Sequence, residues 1–349
     1  MSVYIVATPY HFTLACGIAS YVDTAKEKYL IISPHFKDAE ILTEALKRWP
    51  KNPFKDWAVL EYREDKSAIS KVRTIRKNLE KIKQLADDSS TAYICNIEQP
   101  EGQMLAHLVK NSIYVEDGIG AYLKRTTKDN LLKRYLKKLL YGEWFERVDN
   151  QMDCRLLKGV MAFRPGLLDT PLAKYQIPQD VFKRLKDDGL MGLLSKAYGI
   201  GSVDCEIIVL IPYSGQASAM GYSATLSIYR EILAKLHSTN VAIKYHPREK
   251  AVGFIIPLLY TPDGLKDIRT IPNHISAELL FAVWDSPRKI LIGDTSTGLY
   301  SCKLIAPDAE VISMMGIIGY KDDELAKVLD AYGIKRPKTM EELIEKVKP

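Results

Sequence analysis

Short apolar runs alternate with amphipathic stretches along the first half of the chain. Six runs have the length and the β-branched or aromatic content of strands: residues 3–8, 29–33, 57–62, 92–96, 112–116 and 159–163. Amphipathic stretches lie between several of them, at 11–22, 37–48 and 67–87. The last stretch repeats apolar residues at helical spacing, at Val72, Ile75, Leu79 and Ile82. This alternation predicts a parallel sheet with helices on both faces.

The pattern starts again after a turn-rich region at 170–205, which we interpret as a hinge. Strand-like runs follow at 206–212, 241–245, 267–271, 289–294 and 310–314, and the last thirty residues have a helical pattern. We therefore predict an α/β protein with two Rossmann-like domains and a central cleft, in which ligands bind at the carboxyl ends of the strands. The predicted domains are 1–195 and 205–315, and the helices of 316–349 are expected to pack back on the N-terminal domain.

Composition narrows the class of protein. The chain has 349 residues, of which 47% are hydrophobic and 26% charged, as expected for an ordinary globular protein. Its five cysteines are scattered without a CxxC pair, and its six histidines lack ligand spacing. This favours free thiols in a reducing cytosol and no metal site. No signal peptide or membrane span is visible, so a cytoplasmic location is expected.

The net charge of +6 is mildly basic. It is too small to predict nucleic-acid binding. It favours an anionic partner, such as a nucleotide, an acidic glycan or a membrane surface.

Two adjacent carboxylates, Glu116 and Asp117, follow an apolar run and are followed at once by Gly118. Like charges at the edge of a core are costly, and such pairs are common where protons are transferred. One interpretation is a polar turn at the strand end, in which the aspartate bonds to local backbone. The other is a general base at the carboxyl end of a strand.

The segment 244–249, Lys-Tyr-His-Pro-Arg-Glu, places His246 at the end of another predicted strand. Pro247 cannot continue a strand ladder, so it fixes the turn and holds the imidazole at the rim. With the cations Lys244 and Arg248 beside it, this histidine suits an anionic phosphate. A turn histidine without chemistry is the alternative.

Residues 293–301, Gly-Asp-Thr-Ser-Thr-Gly-Leu-Tyr-Ser, combine glycine, small hydroxyls and the start of a helical pattern. They predict an anion-binding helix N-terminus with hydroxyl and backbone N–H donors at Thr295, Ser296 and Thr297. An ordinary N-cap is the alternative. The lysine and spacing of a Walker phosphate loop are missing.

Other candidates follow the remaining predicted strands. Glu278 lies in the first turn of a helix, where it could accept ribose hydroxyls or simply favour the positive end of the helix. Loops after the first strand of each domain add Tyr213, Ser214 and Gly215 near a phosphate, and Pro9, Tyr10 and His11 on the acceptor side. His11 is equally compatible with a helix start that has no chemistry.

In order, EDG at 116–118, HP at 246–247 and ST at 296–297 resemble the motifs of the bacterial sialyltransferases. The segment 271–280, between HP and ST, is similar to the stretch of that family that carries a ribose-binding glutamate. The polysialyltransferase and lipooligosaccharide sialyltransferase groups are the most similar. The family's Ser/Thr pair is often two serines, and Thr295-Ser296-Thr297 departs from it, which leaves the phosphate contact open.

The resemblance implies a GT-B fold, CMP-sialic acid as donor, inversion at the anomeric carbon, and no required metal or cofactor. The N-terminal domain would then hold the glycan acceptor of a bacterial surface polysaccharide or lipooligosaccharide, and the C-terminal domain the nucleotide sugar. Asp117, or Glu116 in its place, would deprotonate the acceptor hydroxyl, and His246 would bind or protonate the departing phosphate. The donor-side positions are Ser214, Gly215, Lys244, Pro247, Glu278, Thr295, Ser296 and Thr297, and the acceptor-side positions are Pro9, Tyr10, His11 and Gly118.

Residues 124–140 carry seven Lys or Arg and one Asp, with leucines at helical spacing. Three interpretations compete: a solvated helix that packs one face on the core, a peripheral contact with the anionic inner membrane, or a grip on an acidic glycan acceptor.

Two rival functions remain at this stage. One keeps the fold and changes the donor to CMP-Kdo or a CDP-polyol. The other is a non-catalytic protein that binds a nucleotide sugar or a glycan.

Overall fold

The chain divides into two structural units, Met1–Ala197 and Tyr198–Pro349, each built on its own parallel sheet. The boundary falls within the predicted hinge. The computed structural model describes residues 1–33, 39–62, 67–87, 90–124, 137–148, 150–213, 221–236, 240–247, 249, 258–261 and 264–348.

The described residues of the first unit form a sheet of seven parallel strands in the order β3-β2-β1-β4-β5-β6-β7. The strands are β1 (Ser2–Val6), β2 (Lys28–Ile32), β3 (Asp56–Val59), β4 (Thr91–Ile94), β5 (Asn111–Val115), β6 (Gly159–Ala162) and β7 (Ala173–Gln176). The central strands are continuous apolar runs because helices cover both of their faces. Ile5 of β1, for example, pairs with Ile31 and Ile94 on its two sides.

Helices connect these strands as the periodicity predicts. They are α1 (Pro9–Tyr21), α2 (Ala39–Arg48), α3 (Ala68–Leu85), α4 (Pro100–Leu108), α5 (Val181–Asp187) and α6 (Leu190–Ala197). Helices α3 and α4 pack together, α1 packs on α5, and α2 packs on α6. The strand order runs from β1 to β3 on one side and from β4 to β7 on the other, and the right-handed rule for parallel crossovers then puts the helices of the two halves on opposite faces.

The predicted hinge at 170–205 is a correction. It contains β7, α5 and α6, which belong to the first unit. All four residues of β7 are exposed, so the strand lies at the sheet edge and has no apolar pattern to reveal it.

The second unit has a five-stranded parallel sheet in the order β12-β9-β8-β13-β14, and a separate antiparallel hairpin. The strands are β8 (Ile207–Ile211), β9 (Val241–Tyr245), the hairpin β10 (Leu258–Thr261) and β11 (Gly264–Asp267), then β12 (Arg269–Ile271), β13 (Ile290–Gly293) and β14 (Glu310–Ser313). Its helices are α7 (Tyr222–Lys235), α8 (Ala277–Ala282), α9 (Thr297–Ile305), α10 (Asp323–Ala331) and α11 (Met340–Val347).

The C-terminal helices correct a second expectation. Leu343 and Val347 of α11 lie in the core of the second unit, together with Ile232 and Leu236 at the end of α7. Arg288 also donates to the carbonyl of Val347 at 3.0 Å. Because α11 buries its apolar face here, residues 316–349 are part of the second unit.

All five cysteine side chains are buried and carry free thiols. Among the helices that the structure describes, none is both long and apolar enough to cross a bilayer.

Leu343→Ala should lower the free energy of unfolding by about 2–5 kcal/mol, because a fully buried leucine leaves a cavity that α7 and α11 cannot close. Urea unfolding would measure the change. Glu345→Ala, at an exposed position of the same helix, is the matched control and should change stability by less than about 0.5 kcal/mol. Equal effects of the two substitutions would contradict the packing of α11.

Candidate functional site

The paired carboxylates lie directly after β5, at the carboxyl edge of the first sheet. Gly118 follows with φ of 107°, a backbone conformation that side chains with a Cβ rarely adopt. It begins the 3₁₀ helix Ile119–Tyr122 and turns the chain sharply after the two acids. The glycine of the EDG motif is therefore required by backbone geometry.

Glu116 is completely buried and accepts hydrogen bonds from three elements. The Tyr10 hydroxyl donates to its Oε1 at 3.3 Å, the Tyr122 hydroxyl donates to Oε2, and the backbone N–H of Phe163 donates to Oε2 at 3.0 Å. A buried carboxylate is tolerated only with such partners. Glu116 thus links the segments that follow β1, β5 and β6 through hydrogen bonds.

Asp117 points the other way and stays partly exposed. The Tyr114 hydroxyl donates to Oδ1 at 3.1 Å, and the Gln151 amide donates to Oδ2 at 2.5 Å. Burial, with the Asp117 charge beside it, raises the pKa of the Tyr114 phenol, so Tyr114 stays protonated and remains a donor. The carboxylate is therefore held in one orientation, and it is the one of the pair that solvent reaches.

The start of α1 after β1 contacts this cluster through Tyr10. Thr8 caps α1 by accepting from the backbone N–H of His11 at 3.2 Å, and Pro9 takes the first helical position. The side chains of Tyr10 and His11 are 6% and 5% exposed. Both side chains are therefore largely buried, and the Tyr10 hydroxyl donates to Glu116; their assignment to the acceptor side stays a prediction.

In the second unit, α9 begins immediately after β13. Ser296 is its N-cap and accepts from the backbone N–H of Gly298 at 3.1 Å, while Thr295, Ser296 and Thr297 are all partly exposed. A Cβ on Gly298 would lie 2.7 Å from Leu210 Cδ1, so glycine lets the helix start approach β8 closely. Three hydroxyls and a capped helix N-terminus thus share the carboxyl edge of this sheet.

Asp294, which sequence reasoning missed, lies at the base of the same loop. It is 6% exposed; burial raises the pKa of its carboxyl, and the backbone N–H groups of Thr295 and Ser296 oppose that rise. The Ser313 hydroxyl donates to its carbonyl. An acidic residue directly after a buried strand, as at Glu116, was the signal that could have revealed it.

His246 follows β9, which is next to β8 in the sheet. Its backbone N–H donates to the Ile211 carbonyl at 3.2 Å, and its ring lies 5.6 Å from the Tyr213 ring. Pro247 is exposed beside it. His246 and Tyr213 therefore share the edge with the loop at 295–297, because β8 lies between β9 and β13. Ser214, Gly215 and Arg248 lie outside the described residues.

Lys244 and Glu278 are two charged groups inside the second unit. Lys244 is 3% exposed, and its ammonium donates to the carbonyl of Asn273 at 3.4 Å. Glu278 is 9% exposed and accepts from the Ser301 hydroxyl at 3.1 Å. Burial lowers the pKa of Lys244 to about 8 against a smaller opposing effect of the Glu278 charge, and burial raises the pKa of Glu278. For both groups, the unfavourable effect of burial on the charged form outweighs the favourable interaction between the two charges.

Within the part of the chain that the structure describes, no three His, Cys, Asp or Glu side chains cluster in a way that could hold a metal ion.

Comparison with known proteins shows the fold. No family profile matches the chain, and no curated protein matches it in sequence. Among solved structures, a UDP-N-acetylglucosamine 2-epimerase from Rickettsia bellii is similar, with 11% identity, a TM-score of 0.50 and coverage of 95% of this chain and 87% of that one. The UDP-GlcNAc 2-epimerase from Neisseria meningitidis bound to UDP-GlcNAc has 12% identity, a TM-score of 0.51 and coverage of 99% and 90%. The predicted GT-B class is thereby confirmed at the level of fold.

Lys244 should give the second unit a distinct pH dependence. Its folded pKa of about 8 lies below its ordinary value of 10.5, so the unfolded chain binds the proton more tightly between these values. Its contribution to the free energy of unfolding is lowest below pH 8 and rises toward pH 10.5, by up to roughly 3 kcal/mol. Buried thiols and phenols with raised pKa, such as Cys95 and Tyr114, contribute the opposite slope.

The test is therefore a difference measurement. Urea unfolding of the wild type and of Lys244→Met at pH 7.5 and 9.5 should show the wild type gaining stability relative to the variant at the higher pH. Lys327→Met, at an exposed position, should show no such change. If the free energy of unfolding changed equally with pH in the wild type and in Lys244→Met, the ammonium of Lys244 would be hydrated in the folded protein.

Proposed function

We propose that the protein is an inverting, metal-independent glycosyltransferase that transfers sialic acid from CMP-sialic acid to a hydroxyl of a glycan acceptor, in the synthesis of a bacterial surface polysaccharide or lipooligosaccharide. The observation that carries the proposal is the division of roles between the two adjacent acids. Glu116 is fully buried and accepts structural hydrogen bonds from Tyr10, Tyr122 and the Phe163 backbone, whereas Asp117 is held by Tyr114 and Gln151 and is partly exposed. That is the arrangement a general base requires.

In the proposed reaction, Asp117 removes the proton from the acceptor hydroxyl as its oxygen attacks the anomeric carbon of the sialyl group. The new C–O bond forms on the face opposite the bond to the CMP phosphate, and that bond breaks with its electron pair left on the phosphate. The transition state has oxocarbenium character, so most of the catalytic work is activation of the nucleophile and stabilisation of the leaving group.

The donor side is assigned to the carboxyl edge of the second sheet. His246 would donate a proton or a hydrogen bond to the leaving phosphate, and the hydroxyls of Ser296 and Thr297 with the N-terminus of α9 would receive its charge. Support comes from their common edge and partial exposure. Glu278 is proposed to bind ribose through the small part of its side chain that remains exposed.

A second candidate is a nucleotide-sugar epimerase with a UDP-sugar substrate. The likeness to UDP-GlcNAc 2-epimerases over nearly the whole chain favours it. The motif order EDG, HP and ST favours the transferase. CMP-Kdo and CDP-polyol transferases, and a non-catalytic binding protein, complete the set that the experiments must separate.

Nucleotide preference is the first test. CMP at 100 times its Kd should stabilise the protein by about 2.7 kcal/mol, which thermal unfolding detects. Stabilisation by CMP with little from UDP supports the transferase, and the reverse order supports the epimerase. Stabilisation by CDP-polyols but not by CMP would indicate the rival donor. Binding of CMP-sialic acid without any turnover would indicate a binding protein.

The two carboxylates give the second test. Asp117→Asn should lower kcat for sialyl transfer by about 10²–10⁴ while CMP binding and unfolding stay as in the wild type, because only the base is lost. Glu116→Gln is the matched control: it should cost about 1–3 kcal/mol of stability, since an amide cannot accept all the hydrogen bonds that Glu116 accepts. A stable Glu116→Gln variant without activity, beside an active Asp117→Asn variant, would reverse the assignment.

A further inference from the structure

A groove on the first unit shares no residue with either candidate cluster. It lies between α3, α4 and residues 140–144, and its volume is about 640 Å³. Its lining includes Leu79, Lys83, Met104, His107, Leu140 and Trp144. The observations below concern this groove alone and do not depend on the proposed transferase.

The floor of the groove is apolar and its mouth is cationic. Leu79 and Met104 are 5% and 3% exposed and form the floor, and the Trp144 ring stacks on His107 at 6.1 Å. Arg76, Lys83 and Glu80 are exposed at the mouth; Lys83 pairs with Glu80 at 2.7 Å, and Arg76 leaves the mouth with a net positive charge. Such a groove suits a molecule with a hydrocarbon part and an anionic part.

Exposed leucines extend the apolar surface beyond the groove. Leu139 and Leu140 are 60% and 37% exposed, and Leu140 also lines the groove. Lys137 and Lys138 precede them directly in a segment, 124–140, whose sequence carries seven basic residues and one acidic residue. Adjacent exposed leucines are costly in water, and cations beside them select a negatively charged apolar phase.

We propose that this face of the first unit docks on an anionic lipid bilayer. Leu139 and Leu140 enter the boundary between headgroups and acyl chains, an acyl chain occupies the groove above Leu79 and Met104, and the cations at its mouth contact lipid phosphates. Charge complementarity selects this occupant.

Two other occupants fit less well. A glycan would place hydroxyls against an apolar floor that cannot hydrogen-bond them. A second copy in a symmetric dimer would bring Lys137 and Lys138 of both copies together, and like charges across an interface are repulsive.

Co-sedimentation with vesicles tests the docking. The protein should bind vesicles of equimolar phosphatidylcholine and phosphatidylglycerol, and bind pure phosphatidylcholine much more weakly. Leu139→Ser/Leu140→Ser should lower the partition coefficient by roughly tenfold or more, because two leucines no longer leave water. Leu167→Ser, which removes a leucine that is 40% exposed elsewhere on the unit, is the matched control and should bind like the wild type.

A second measurement separates insertion from surface attraction. Brominated acyl chains should quench part of the intrinsic fluorescence, and that quenched part should be absent in Trp144→Phe, whose vesicle binding is measured in the same samples so that the comparison is made on bound protein. If the double variant unfolds at a lower temperature than the wild type, the vesicle-binding measurement is repeated with Leu139→Ser alone.

Four results would overturn the proposal. Two concern binding: the protein does not bind the anionic vesicles, or it binds them equally well after the leucine substitutions. The other two are the absence of Trp144 quenching, and a dimer in sedimentation velocity that the leucine substitutions dissociate. Binding of an acidic polysaccharide to this face, with no binding to lipid vesicles, would indicate a glycan-binding surface instead.

Discussion

The buried carboxylate of Glu116 is the constraint on which the carboxyl edge of the first sheet depends. A charge without access to water is stable only if surrounding groups donate to it, and here the donors come from α1, from the 3₁₀ helix after Gly118 and from the chain after β6. Meeting that requirement fixes three loops relative to one another. It also decides the direction of the next side chain, Asp117, which is left partly exposed.

The second unit also contains largely buried ionisable side chains near the carboxyl edge of its sheet. Its carboxyl edge carries Asp294, Glu278 and Lys244 largely buried, and the hydroxyls of the 295–297 loop partly exposed above them. Desolvation shifts the pKa of all three buried groups toward the neutral form. Among the described residues of this edge, the partly exposed side chains with polar groups include the hydroxyls of Thr295, Ser296 and Thr297 and the imidazole of His246, which suit an anionic ligand better than carboxylates would.

Periodicity predicted most of the fold because buried strands and amphipathic helices follow directly from which faces meet water. Strands β1 to β6, β8, β9, β13 and β14 and helices α1, α2 and α3 lie where the pattern placed them. The elements that the pattern missed have physical reasons. The edge strand β7 is short and exposed throughout, so it lacks a buried apolar run. The hairpin β10–β11 directly precedes β12 within one β-rich stretch, so the pattern does not separate the three strands. The place where α11 packs depends on contacts distant in sequence, so no local pattern could reveal it.

The sequence by itself determined two successive α/β units with parallel sheets, the strand-end positions of Glu116, Asp117 and His246, and the helix start near Thr297, because these follow from local pattern, glycine and proline. Only the tertiary structure decided which acid of the pair is buried. A central parallel strand has no polar face, so alternation cannot assign its last residues to core or solvent. The choice came from Tyr10 and Phe163, which are distant in sequence, and from Gln151, which holds the acid that remains outside.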